Sequence, residues 1–155
     1  MTFALFPTIA KLIHADLPKH PIDGLDVWPI ISRQRGAKNP HPAYWFYFRV
    51  NELQAVITGD GRWKLQLPHT YITLGGRPGG HGGLPVPYEE RKLEHAELYD
   101  LVQDISEAAD VAAQHPDIVK RLEAEAAKAR RELGDALTKV TGQANREPGR
   151  LAQKD

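Results

Sequence analysis

The chain has 155 residues, 26% of them charged and 41% hydrophobic, with 20 basic residues against 20 acidic ones and no cysteine. Zero net charge gives no pull toward nucleic acid or another polyanion. Without cysteine there is no disulfide framework, thiolate metal site or cysteine nucleophile, and no apolar run approaches the roughly 20 residues that span a bilayer.

The opening, MTFALFPTIAKLIHA, reads as an amphipathic helix over about residues 7–15. Pro7 suits a first turn, Ile9, Leu12 and Ile13 share a face, and Leu17-Pro18 stops the helix. A signal peptide is not expected here: there is no basic leader, Pro7 and Lys11 interrupt the apolar run, and no small-residue cleavage site follows. The compartment stays unassigned. A Pro/Gly-rich stretch comes next, in which Asp26 is a candidate N-cap for a short helix carrying Val27, Trp28, Ile30 and Ile31. Pro29 belongs in its first turn. Residues 36–42 read as a linker.

The aromatic run at residues 44–48 is expected to be a strand covered on both faces. Asn51-Glu52 turns into a second strand over 53–58. Asp60-Gly61 is the strongest hairpin signal in the chain. After it Trp63, Leu65 and Leu67 alternate with Arg62, Lys64 and Gln66, the pattern of a half-buried strand. Residues 68–87, PHTYITLGGRPGGHGGLPVP, form a Gly-rich loop too long for an ordinary connector, and Glu89, Glu90, Arg91 and Lys92 read as a solvated segment. Residues 97–101 are a fourth strand. Pro116 and Asp117 open a long helix. Its stripe of Ile118, Leu122, Ala126, Ala129, Leu133, Leu137 and Val140 predicts that it runs to about residue 140, with Gly134 weakening it by about 1 kcal/mol. The fold class expected is α+β: a small antiparallel sheet of about four strands packed against the long C-terminal helix.

The histidines at 14, 20, 41, 69, 81, 95 and 115 show neither H-x-H nor H-E-x-x-H spacing, so no metal site is expected. GGRPGGHGG lacks the G-K-[ST] ending of a phosphate cradle. Trp28, Trp45 and Trp63 lie in apolar runs and read as packed rings before sugar platforms.

Three segments, in this order and spacing, resemble the C-terminal part of the formylglycine-dependent sulfatases. They are Phe6-Pro7-Thr8-Ile9-Ala10-Lys11-Leu12 with Ile22-Asp23-Gly24-Leu25-Asp26, then Asn51-Glu52-Leu53-Gln54-Ala55-Val56 with Gly61-Arg62-Trp63-Lys64-Leu65, then Leu98-Tyr99-Asp100-Leu101 with Asp104 and Val111. The likeness covers about residues 5–135 and departs from the family at Ile57, Ile105 and Asp110, where Arg, Pro and Asn are usual. The resemblance implies three parts: residues 1–40 as the remnant of a larger α/β domain plus linker, 41–141 as the C-terminal subdomain, and 142–155 as a disordered tail.

Sulfatases attack sulfur with a formylglycine hydrate made from a C/S-x-P-x-R motif, while calcium offsets charge on the sulfate oxygens. This chain has no Cys, its serines Ser32 and Ser106 lack the motif, and no Asp-Asp or Asp-Asn pair occurs. No catalytic residue or cofactor is therefore expected in it. The resemblance implies a C-terminal fragment of a sulfuric ester hydrolase, inactive alone, whose partner is the missing catalytic domain and whose substrate in the complete enzyme is a sulfate ester. It also implies a loop at the rim of the cleft, with His69, Arg77 and His81 as anion-binding residues. Two other readings remain: a non-catalytic module for sulfated glycans, and an interaction protein if the first helix and the Trp28 segment leave an apolar surface exposed.

Overall fold

Alternating apolar residues build the centre of the molecule. The computed structural model describes residues 2–145. Six strands precede the long helix: β1 (Ala43–Phe48), β2 (Glu52–Thr58), β3 (Trp63–Gln66), β4 (His69–Thr73), β5 (Glu89–Leu93) and β6 (Glu97–Asp100). Four of them form an antiparallel sheet in the order β1-β2-β3-β6, and β4 and β5 pair separately. Val56, Leu65 and Leu98 lie opposite one another across the sheet. Leu122, Ala126 and Ala129 of the helix Pro116–Leu133 close the same buried cluster. The two alanines let that helix lie close against the strands. Together these elements make the fold α+β, as expected.

Strict alternation would send Leu53 and Val56 to opposite faces, yet both lie in the cluster under the helix. The register between β1 and β2 shifts between Phe46 and Tyr47, where the pairs pass from Phe46↔Ala55 to Tyr47↔Leu53. Gln54 is therefore the extra residue of a bulge, which turns Leu53 back to the core. The Asp60-Gly61 turn forms as expected: Gly61 has φ +76°, its N–H donates to Thr58 O at 2.8 Å, and Asp60 Oδ1 accepts the Arg62 N–H at 3.0 Å.

Four expectations are corrected. First, β1 is not covered on both faces. It is an edge strand, and Phe46 and Phe48 stay exposed because only its other face meets the helix. Second, the Gly-rich segment is not all loop. Its start forms β4, which pairs with β5, so the segment Glu89–Leu93 is a strand. Third, the long helix stops at Leu133, because Gly134 sits at φ +84° and reverses the chain. Gly134–Asp135 (β7) then pairs with Val140–Thr141 (β8). Leu137 and Val140 continue the apolar spacing but lie outside the helix. Fourth, the first helix, α1, is Leu5–Leu12 and ends before residue 15. Gln143 and Ala144 donate to Arg131 O and Glu132 O at 2.9 and 2.8 Å. The rest of the expected tail, residues 146–155, lies outside the described residues.

Gly134 separates the two views of the helix end. Were it a mid-helix glycine, alanine there would stabilise by about 1 kcal/mol. In the fold, a Cβ at Gly134 would meet Val140 O and Gly142 N, each at 2.8 Å, in a left-handed backbone. Gly134→Ala is therefore expected to destabilise by about 1–3 kcal/mol, read as a lower midpoint in urea unfolding.

At the N-terminus the helical stripe faces outward. Pro7, Thr8 and Ala10 are the buried residues of α1. Thr8 Oγ1 donates to Ala4 O at 2.7 Å and accepts the Val27 N–H at 2.9 Å, which ties α1 to the short helix α2 (Trp28–Ile31). The N-cap of α2 is Val27 and not the expected Asp26, which lies one residue earlier and whose Oδ1 accepts the Trp28 N–H at 2.9 Å. Leu5, Phe6, Ile9, Leu12 and Ile13 are 46–67% exposed, and Leu25, Trp28, Ile30 and Ile31 extend the apolar surface. Among the described residues no helix is long and apolar enough to cross a membrane.

Candidate functional site

Strand alternation sends Phe46, Ala55, Lys64, Gln66, Glu97 and Tyr99 to the sheet face opposite the long helix. With Gln54, with His69, Tyr71 and Leu93 of the β4–β5 hairpin, and with Glu107, they line a cleft of about 390 Å³. Its polar groups hold one another. Lys64 Nζ lies 2.7 Å from Glu107 Oε1, and Gln66 Nε2 donates to Glu107 Oε2 at 3.0 Å. Lys64 also sits over the Phe46 ring, 5.5 Å from its centroid. Gln54 Nε2 donates to Glu52 Oε2 at 3.0 Å, and the Tyr99 hydroxyl donates to Glu97. Burial, then the hydrogen bond and charge of Glu97, push the Tyr99 phenol far above its usual value, so it stays a donor.

Glu107 reaches the cleft from a braced loop. Its backbone is left-handed, at φ +55°. Asp104 accepts hydrogen bonds from Ser106 Oγ at 2.7 Å and from the Ala108 and Ala109 amides at 2.6 and 2.9 Å. The Ser106 hydrogen bond, then the backbone ones, outweigh burial and hold the Asp104 carboxyl below the usual range. Asp110 Oδ1 accepts from Leu98 N and Ala112 N, both at 2.9 Å. The segment with Ile105 and Asp110, where the chain departs from the sulfatase pattern, is thus fixed by carboxylates.

Of the three sequence-predicted site residues, only His69 lines this cleft. Its Nδ1 lies 2.6 Å from Leu67 O. A carbonyl can only accept, so Nδ1 carries a proton. Arg77 and His81 lie in the exposed Gly-rich loop between β4 and β5. Arg77 Nε donates to Leu74 O at 2.8 Å and its Nη2 to Pro87 O at 2.7 Å, so the guanidinium clasps the base of its own loop. Lys64, Gln66 and Glu107 were not singled out from the sequence. Lys64 and Gln66 were legible only as the outward positions of β3, and Glu107 fell in an irregular stretch. The resemblance implies calcium for a complete sulfatase. Among the described residues no three His, Asp or Glu side chains gather to hold a metal.

No family model and no curated protein matches the chain. Solved structures do match. One, from Bacteroides thetaiotaomicron, is described as "6S-sulf" in work on the metabolism of multiple glycosaminoglycans. It is 22% identical, with a TM-score of 0.57 over 82% of this chain. The chain spans 24% of that structure's length. What the two share is the fold.

Proposed function

We propose that this chain is the C-terminal subdomain of an arylsulfatase-like hydrolase of sulfate esters. In the complete enzyme it supports the catalytic domain and lines the substrate cleft, and it carries neither the formylglycine nor the metal ligands. The observation that carries this reading is the fold shared with about a quarter of a "6S-sulf" structure. The outward apolar face of α1 and α2 fits it, because a piece parted from a larger body exposes the surface that body covered. The second reading, a binding module for sulfated glycans, draws on the cleft of the open sheet face.

Turnover of 4-nitrophenyl sulfate tests the first reading. The 155-residue chain is expected to give none above buffer. The same chain, extended through its upstream coding sequence and matured at a C/S-x-P-x-R segment, is expected to hydrolyse the ester. Turnover by the chain alone, or an upstream sequence without that motif, overturns the reading.

A further inference from the structure

We propose that the cleft on the open face of the sheet binds a neutral, hydroxyl-bearing glycan ring and turns sulfate groups away. The inference deepens the sulfatase reading and rests on it for the choice of a glycan. The exclusion of sulfate stands on the cleft's own groups.

The walls and the floor differ in chemistry. Tyr71 and Phe46 line the cleft, each 39% exposed, and bring aromatic surface that suits the C–H face of a sugar. The floor holds the amides of Gln54 and Gln66, the carboxylates of Glu97 and Glu107, and the Lys64 ammonium. A sugar hydroxyl both donates and accepts, so it pairs with every one of these groups. Their mutual hydrogen bonds hold the side chains in place before any ligand arrives, which lowers the entropy cost of binding.

Charge sets the limit on what enters. Two carboxylates face one ammonium, and that ammonium already lies against Glu107. A sulfate placed there meets like charge, and the one ammonium of the lining is already paired. Of the residues expected to meet an anion, Arg77 and His81 do not line the cleft, and His69 does so with its Nδ1 turned to Leu67 O. The sulfate of a substrate therefore lies outside the cleft while a neighbouring ring occupies it.

The test is a titration of the 155-residue chain, followed by its backbone amide resonances, with chitotriose and with 6-O-sulfated chitotriose. Chitotriose is expected to shift Lys64, Gln66 and Tyr71, and the sulfated probe to bind about tenfold more weakly. Tyr71→Ala is expected to weaken chitotriose about tenfold. Glu107→Gln keeps the shape of the side chain but releases Lys64, and it is expected to narrow the gap between the two probes. Should Tyr71→Ala disturb the hairpin, Glu107→Gln decides the matter alone. Equal or tighter binding of the sulfated probe, shifts confined to residues outside the cleft, or no binding of either sugar overturns the proposal. Ester turnover by the extended chain is read separately, so the two readings fail independently.

Discussion

Asp135→Ala is expected to cost about 3–5 kcal/mol of stability, the range for removing one partner of a buried ion pair. Asp135 is fully buried where the long helix ends. It accepts the Leu53 and Leu137 amides at 3.2 and 3.0 Å, Thr138 Oγ1 at 3.0 Å and Arg130 Nε at 2.8 Å. Alanine leaves those donors without partners, and one of them joins β2 to the helix end. Burial alone pushes the carboxyl up. The Arg130 pair and the hydrogen bonds from Leu53, Leu137 and Thr138 outweigh it, so the net direction is down.

The sign of the pH dependence follows. A carboxyl whose folded pKa is depressed contributes stability above its unfolded value of about 4, and the contribution is lost as pH falls through the lower folded value. Thermal melts should therefore show the wild type losing stability as pH drops below about 4, with a shallower loss in Asp135→Ala. At neutral pH the variant should melt about 10 °C lower. A variant within a degree or two of wild type would mean that these hydrogen bonds do not hold the helix end.

Parts of this architecture were legible from single residues. Trp63, Leu65 and Leu67 announce β3 because one face of it is wet and the other dry, and Asp60-Gly61 names its own turn. Pro116 marks the start of the long helix because a proline nitrogen fits where the first amides lack partners. The helix end was misread because Leu133, Leu137 and Val140 keep the helical spacing. Gly134, a glycine placed where helices commonly stop, was the better signal. The β4–β5 hairpin escaped because Ile72 and Tyr71 stay exposed and Glu89, Glu90, Arg91 and Lys92 show no apolar alternation. Its strands meet only across the Gly-rich loop, which no local pattern records. The cleft escaped for a related reason. Its groups come from β1, β2, β3, the hairpin, β6 and the Glu107 loop, and only the pairing of the strands brings them together.

The direction of the first helix is a different matter. Ile9, Leu12 and Ile13 do share a face, as their spacing requires. Periodicity cannot say what covers that face, and among the described residues it stays largely open: Ile9 is 53% exposed and Ile13 67%. Lys11 pairs with Asp26 at 2.9 Å, so the one charged residue of the helix is also tied up locally. Phe6→Glu combined with Ile9→Glu should leave the fold intact, since neither side chain reaches the core cluster. It should also change the solution behaviour of the chain more than any other pair of surface substitutions.

Sedimentation velocity of the wild-type chain and of Phe6→Glu/Ile9→Glu tests most directly whether this face belongs against a larger body. The wild type is expected to form a range of species that grow with concentration, because on the proposed reading its apolar surface is shaped for a different partner and meets copies of itself without a fixed geometry. The double variant is expected to run as a monomer with an unchanged melting temperature. A wild-type chain that stays monomeric at every concentration, or that forms one tight dimer, would contradict the account.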